Sequence, residues 1–150
     1  MEEQQLQAFV DSVVNYFQLN PGNAVRVGTP YLMEASKEIT SDVSGMIAIS
    51  GSRSGWVCYT APRIMVKHLL LTLGESDTSS TNVMDMVGEV ANTISGNLRK
   101  HFGSQFLISV PNVFEGRQLD SANTAAEDNR CYVVPIYWKQ YHSSMVVYLH

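Results

Sequence analysis

The chain has 150 residues, 45% of them hydrophobic and 16% charged, with a formal net charge of -4. This is the composition of one globular domain spanning residues 1–150, long enough to bury a core without staples. Its basic residues are scattered, with Arg99-Lys100 the only adjacent pair, which argues against a nucleic-acid partner.

No apolar run is long enough to span a bilayer, and the acidic, polar start MEEQQLQ is unlike a signal peptide, so no membrane contact and a cytoplasmic location are expected. Residues 4–18 set Leu6, Phe9, Val10, Val13, Val14 and Phe17 at helical spacing. LNPGN breaks that helix, and residues 24–33 read as extended, with Pro30 marking an edge or irregular strand. VSGMIAIS and WVCYTA flank GSRSG and read as a hairpin. Pro62 opens the next helix and Gly74 suits its end; a polar loop, ESDTSSTN, then supplies the N-cap of a helix over about 82–102, closed by Gly103. QFLISVPNVFEG, RCYVVPIYW and HSSMVVYL are strand-like, with the polar loop QLDSANTAAEDN between the first two. The order α-β-β-β-α-α-β-β-β predicts an α+β domain, an antiparallel sheet backed by helices.

Cys58 and Cys131 lie in separate strand-like runs and are expected to be reduced, buried thiols. His68, His101, His142 and His150 show no ligand spacing, so no metal site is expected. Trp56 and Trp138 fall in strand-like runs as packing residues, and Met84 and Met86 read as core filler.

The 82–102 helix carries the most informative pattern. Val83, Val87, Val90, Ala91, Ile94 and Leu98 form one apolar stripe; Asp85, Glu89, Asn92, Thr93, Gly96, Arg99 and Lys100 gather opposite. Glu89 and Asn92 are i and i+3, so their Cβ atoms lie about 5–6 Å apart. A solvated polar face explains charges and amides, yet two helix glycines, Gly88 and Gly96, each cost about 1 kcal/mol against alanine. They suggest a surface kept bare for a partner.

The run DMVGEVANTISGNLRKHFG, followed by a strand and VPNVFEG, resembles the signature of the CheC/CheX/FliY family, phosphatases of the phosphorylated chemotaxis response regulator CheY. That signature is an acidic or hydroxyl residue, then Glu, then Asn, then a downstream Pro; Asp85, Glu89, Asn92 and Pro111 fit it, with a slightly shorter spacer before the proline. The upstream stretch GTPYLMEASKEITSDVSGMIAISGSRSGWVCYTAP also resembles the first strands of CheX. CheC and FliY types usually carry two copies of ExxN. This chain has one, because Asp11 and Asn15 of the first helix are four apart, and in this it is most similar to CheX.

The resemblance implies a CheY-type receiver as partner, a homodimer formed by joining sheet edges (the strands at 131–149 being candidates), and no cofactor of the chain's own, the divalent metal, Mg2+, coming with the receiver. Asn92 is expected to position the attacking water, a task suited to a carboxamide that both donates and accepts hydrogen bonds. Glu89 is expected to pair with the lysine that receivers keep beside the phosphorylation site. Asp85, Gly88 and Gly96 complete the expected partner-binding face, although Asp85 also suits the helix macrodipole, and Pro111 is expected to shape the strand exit. The alternative is a non-catalytic module that docks a receiver, or one like the flagellar switch protein FliM, which has this fold but lacks the ExxN pair.

Overall fold

Phe9, Val13, Tyr16 and Phe17 recur every three to four residues, and this stripe buries one face of the first helix, α1 (Glu3–Gln18). The computed structural model describes residues 3–18, 25–34, 40–116 and 130–150. Between α1 and the next helix come strands β1 (Val25–Val27), β2 (Tyr31–Glu34), β3 (Val43–Gly51) and β4 (Gly55–Ala61). Helices α2 (Arg63–Thr72) and α3 (Ser80–Phe102) follow, then β5 (Phe106–Ile108), β6 (Asn112–Glu115), β7 (Arg130–Trp138) and β8 (Tyr141–Leu149). The order is the expected one, except that each of two anticipated strands, 24–33 and QFLISVPNVFEG, divides into a short pair. The polar loop QLDSANTAAEDN lies outside the described residues.

All the described strands form one antiparallel sheet in the order β1-β7-β8-β4-β3-β5, with β2 also on β7 and β6 also on β3. Side chains alternate between its faces. Val57, Tyr59, Val134, Ile136, Met145 and Val147 join the helices in the main core, whereas Trp56, Cys58, Cys131, Val133 and Val146 form a smaller cluster on the other face. The strands at 131–149 are therefore not sheet edges: β7 lies between β1/β2 and β8, and β8 between β7 and β4. Long apolar strands with continuous buried runs, covered on both faces, are interior strands, and the described free edges are instead the short pairs.

Each short pair contains one extra residue against its long neighbour. Ile108 pairs with Ile49 and Asn112 with Met46, so residues 109–111 face only residues 47 and 48. At the far edge Val27 pairs with Ile136 and Tyr31 with Val133, so residues 28–30 face only 134 and 135. These are β-bulges, and each ends on a proline, Pro111 and Pro30. The second also accommodates Pro135 within β7. Its carbonyl accepts the Gly28 N–H at 2.9 Å, and its nitrogen, which has no hydrogen to donate, faces the same irregular edge.

Helix α2 begins after Pro62, where the Asp42 carboxylate accepts the Arg63 N–H at 3.0 Å in place of a local cap. It ends in a Schellman arrangement: Gly74, at φ +86°, donates to the Leu71 carbonyl, and Glu75 to that of Leu70. Cys58 and Cys131 are free and buried. They stand on β4 and β7 with β8 between, and two strand spacings, about 9–10 Å, already exceed the reach of a disulfide. Burial pushes the Cys58 thiol up to about 12 and that of Cys131 to about 11.

Candidate functional site

Helix α3 is long because its core stripe runs its whole length, from Val83 through Val87, Val90, Ala91 and Ile94 to Leu98, all fully buried. Ser79 stands at its N-cap, and Gly103, at φ +98°, ends it with its N–H on the Arg99 carbonyl. The helix lies directly on β3. A Cβ at Gly45 would stand 2.9 Å from the Val87 carbonyl oxygen, so glycine is what lets the helix backbone approach the strand. At its first residue, Ser80 donates to Glu115 of β6 (3.3 Å), which also takes a 2.6 Å ion pair from Arg63 at the start of α2. That guanidinium holds the Glu115 carboxyl below the usual carboxylate range.

Asp85, Glu89 and Asn92 stand exposed along the outer ridge of this anchored helix. A shallow groove runs beside them, lined by Met84, Asp85, Gly88, Glu89, Asn92, Pro111 and Val113. A second, lined by Leu70, Leu73, Glu75, Asn82, Asp85, Met86 and Glu89, separates the ridge from α2. Glu89 and Asp85 thus border both grooves, and Asn92 borders the one next to β6. Behind the ridge Tyr16 of α1 is buried; burial first, and the negative charge of Glu89 second, raise its hydroxyl above the usual tyrosine range.

The two helix glycines prove unlike. Nothing lies within 4 Å of a Cβ built on Gly96, so the surface there is open. A Cβ on Gly88 would stand 3.0 Å from Val113 Cγ1 and 3.4 Å from Pro111 Cβ. Gly88, expected on a surface kept bare for a partner, is instead buried by its own chain at the groove floor, where it lets the bulge before β6 press against α3. Pro111 therefore packs on the helix besides shaping the strand. Met86 is core, as expected, whereas Met84 is half-buried and lines the groove.

Sequence reasoning missed the bulge, and with it Val110. Ser109 holds the distortion in place: its N–H donates to the Ala48 carbonyl (3.0 Å), while its Oγ accepts the Ala48 N–H (2.9 Å) and donates to the Val110 carbonyl (2.9 Å). Val110 is left 84% exposed. The available signal was the proline inside a strand pattern. Among the described residues no group of His, Cys, Asp and Glu is arranged to hold a metal ion, and no helix is long and apolar enough to cross a membrane.

The family model of the chemotaxis phosphatase CheX matches residues 43–136, from the start of β3 into β7. The chain belongs to the CheX family. Among curated proteins no sequence matches it. Its fold is that of several solved structures. A chemotactic CheC-like protein from Shewanella oneidensis MR-1 is 20% identical, with 100% of both chains covered and a TM-score of 0.82. A CheC-like superfamily protein from Shewanella sp. PV-4 is 23% identical, with 100% of this chain and 99% of that one covered and a TM-score of 0.80. A third, 20% identical over 97% of each chain with a TM-score of 0.73, is CheX from Borrelia burgdorferi in a complex of CheX, CheY, BeF3 and Mg2+.

Proposed function

We propose that this CheX-family chain is a phosphatase of the aspartyl phosphate on a CheY-type receiver, and that the Glu89–Asn92 ridge enters the receiver's active site. The observation that carries the reading is geometric: Glu89 and Asn92 are exposed one turn apart on a helix held rigidly against the sheet, with open surface at Gly96. Family membership and the Borrelia CheX–CheY complex support the partner.

An aspartyl phosphate that holds its own Mg2+ needs little added chemistry beyond a water held in line with the breaking P–O bond, and positioning alone removes much of the barrier. Asn92 supplies a carboxamide that can donate to and accept from that water. Glu89 would repel the phosphoryl group if it faced it; it instead pairs with the receiver's active-site lysine and sets the approach of the helix. Asp85 extends the acidic ridge, and the divalent metal stays with the receiver. Joining two copies edge to edge, the homodimer that kinship implies, is open to the described strands only at β1/β2 and β5/β6; sedimentation velocity measures whether it forms. A cytoplasmic site of action accompanies this reading, because the receiver is its substrate.

The test is the decay of a phosphorylated CheY-type receiver in Mg2+, with and without the protein. Wild type should accelerate decay, and Asn92→Ala should cut that acceleration by about 100-fold or more with an unchanged circular dichroism spectrum. Glu89→Ala should chiefly raise the half-saturating receiver concentration. Binding without acceleration would replace the phosphatase with a docking module.

A further inference from the structure

We infer that Val110, thrust outward by the bulge between β5 and β6, is the apolar anchor that grips the receiver beside Asn92. This deepens the proposed function and rests on it. Two independent observations carry it. First, Val110 has the greatest exposure of any large hydrophobic side chain among the described residues, and it adjoins Pro111, which with Met84 and Val113 forms the apolar side of the groove holding Glu89 and Asn92. A scattered exposed valine would mean nothing, but this one is the chain neighbour of Pro111, which lines the candidate site.

Second, the molecule contains its own control. The bulge at the far edge of the sheet has the same count, three residues against two, and the same closing proline. Its middle residue, exposed like Val110, is Thr29. The bulge geometry itself is therefore satisfied by a polar residue, and threonine is nearly isosteric with valine. At the middle position of the bulge an apolar side chain stands only at the edge that abuts the ridge, although Tyr31 and Leu32 are exposed further along the other edge. Bulges commonly re-aim a side chain next to an active site. Ser109 and the Gly88–Pro111 contact hold this residue in place, so little ordering is left for the moment of binding. The occupant is the phosphorylated receiver, whose surface beside its lysine and metal site would bury Val110 while Glu89 meets the lysine.

The experiment measures initial dephosphorylation rates against receiver concentration, together with binding of the beryllofluoride-activated receiver. Wild type, Val110→Thr, Val110→Asp and Thr29→Asp are compared. Val110→Asp should raise the half-saturating concentration by about 10-fold or more and Val110→Thr by a few-fold, both with the maximal rate kept. Thr29→Asp should match wild type. Val110→Thr keeps the test decisive should the aspartate disturb folding, since it copies the residue of the other bulge. If wild type accelerates decay and both Val110 variants match it in half-saturation and binding, the anchor is refuted and the phosphatase stands. If wild type binds without accelerating, the binding isotherms alone decide on the anchor, and catalysis is what fails. No binding to any receiver tested would overturn both.

Discussion

The two edges of the sheet are built alike and placed differently. At each, two short strands share one long partner across a three-against-two bulge that ends in proline. At the β1/β2 edge the irregularity is absorbed within the sheet: Gly28 donates to Pro135, and a Cβ there would meet Tyr137 and Pro135 within 3.0–3.3 Å. At the β5/β6 edge the same device reaches the helix, setting Pro111 against Gly88 on the groove that Glu89 and Asn92 border and leaving Val110 in solvent. A bulge relieves a strand locally, and its neighbour decides what use the displaced residues have.

The largest effect should come from breaking the helix–bulge contact. Gly88→Val places side-chain atoms where Val113 and Pro111 already sit, and should cost about 1–3 kcal/mol in urea unfolding, as overpacking does. It should also slow receiver dephosphorylation by displacing the bulge. Gly45→Ala tests the seat of the same helix on β3. Its Cβ would press on the Val87 backbone, which cannot swing aside as a side chain can, and a loss of about 1–3 kcal/mol is expected. Unchanged melting in either variant would mean that α3 is not held as closely as described. In contrast, Gly96→Ala has open space around it and should stabilise the fold by up to about 1 kcal/mol.

Exchanging the two bulge residues, Thr29→Val with Val110→Thr, sharpens the comparison between the edges. Unfolding free energy should stay within about 0.5 kcal/mol of wild type while receiver affinity falls. Equal loss of stability and affinity would show that the residues serve folding.

An effect seen only at high pH is expected in the second-face cluster, where no function is assigned. Cys58 and Cys131 have folded-state values of about 12 and about 11, above the ordinary 9.0 of a thiol. The unfolded chain therefore releases these protons first as pH rises. Their contribution to stability is complete below about pH 9 and is lost progressively as pH climbs toward the folded values. Melting should accordingly fall between pH 9 and 11, less so in a Cys58→Ala/Cys131→Ala variant measured against its own pH 8 value. At pH 8 a thiol reagent should label neither residue until the chain is unfolded.

Much of this was legible in the sequence. The stripe of Val83, Val87, Val90, Ile94 and Leu98 alone defines α3 and turns Glu89 and Asn92 outward, because helical periodicity is a local property. Gly74 and Gly103 mark helix ends for the same reason: their positive φ is a local requirement. The proline inside a strand pattern announced an irregular edge at Pro30, whereas the same signal at Pro111 went unread. The order of strands was beyond such reading. Val133 and Val146 look as suited to an edge as to an interior strand, and only pairing across the sheet shows that β7 and β8 lie inside it.

The same limit applies at the site. On a helical wheel Gly96 lies near the middle of the polar face and Gly88 at its margin, but the burial of Gly88 is made by Pro111 and Val113, which arrive from another element. Likewise Asp42 caps a helix from another part of the chain, and Val110 is exposed in a bulge where Ser109 bonds to Ala48. The sequence by itself determined the helix, its motif and the family to which both belong, since periodicity and spacing are written along the chain. The tertiary structure decided which glycine is bare, which strands are edges and which valine is exposed, because each depends on contacts between residues that only folding brings together.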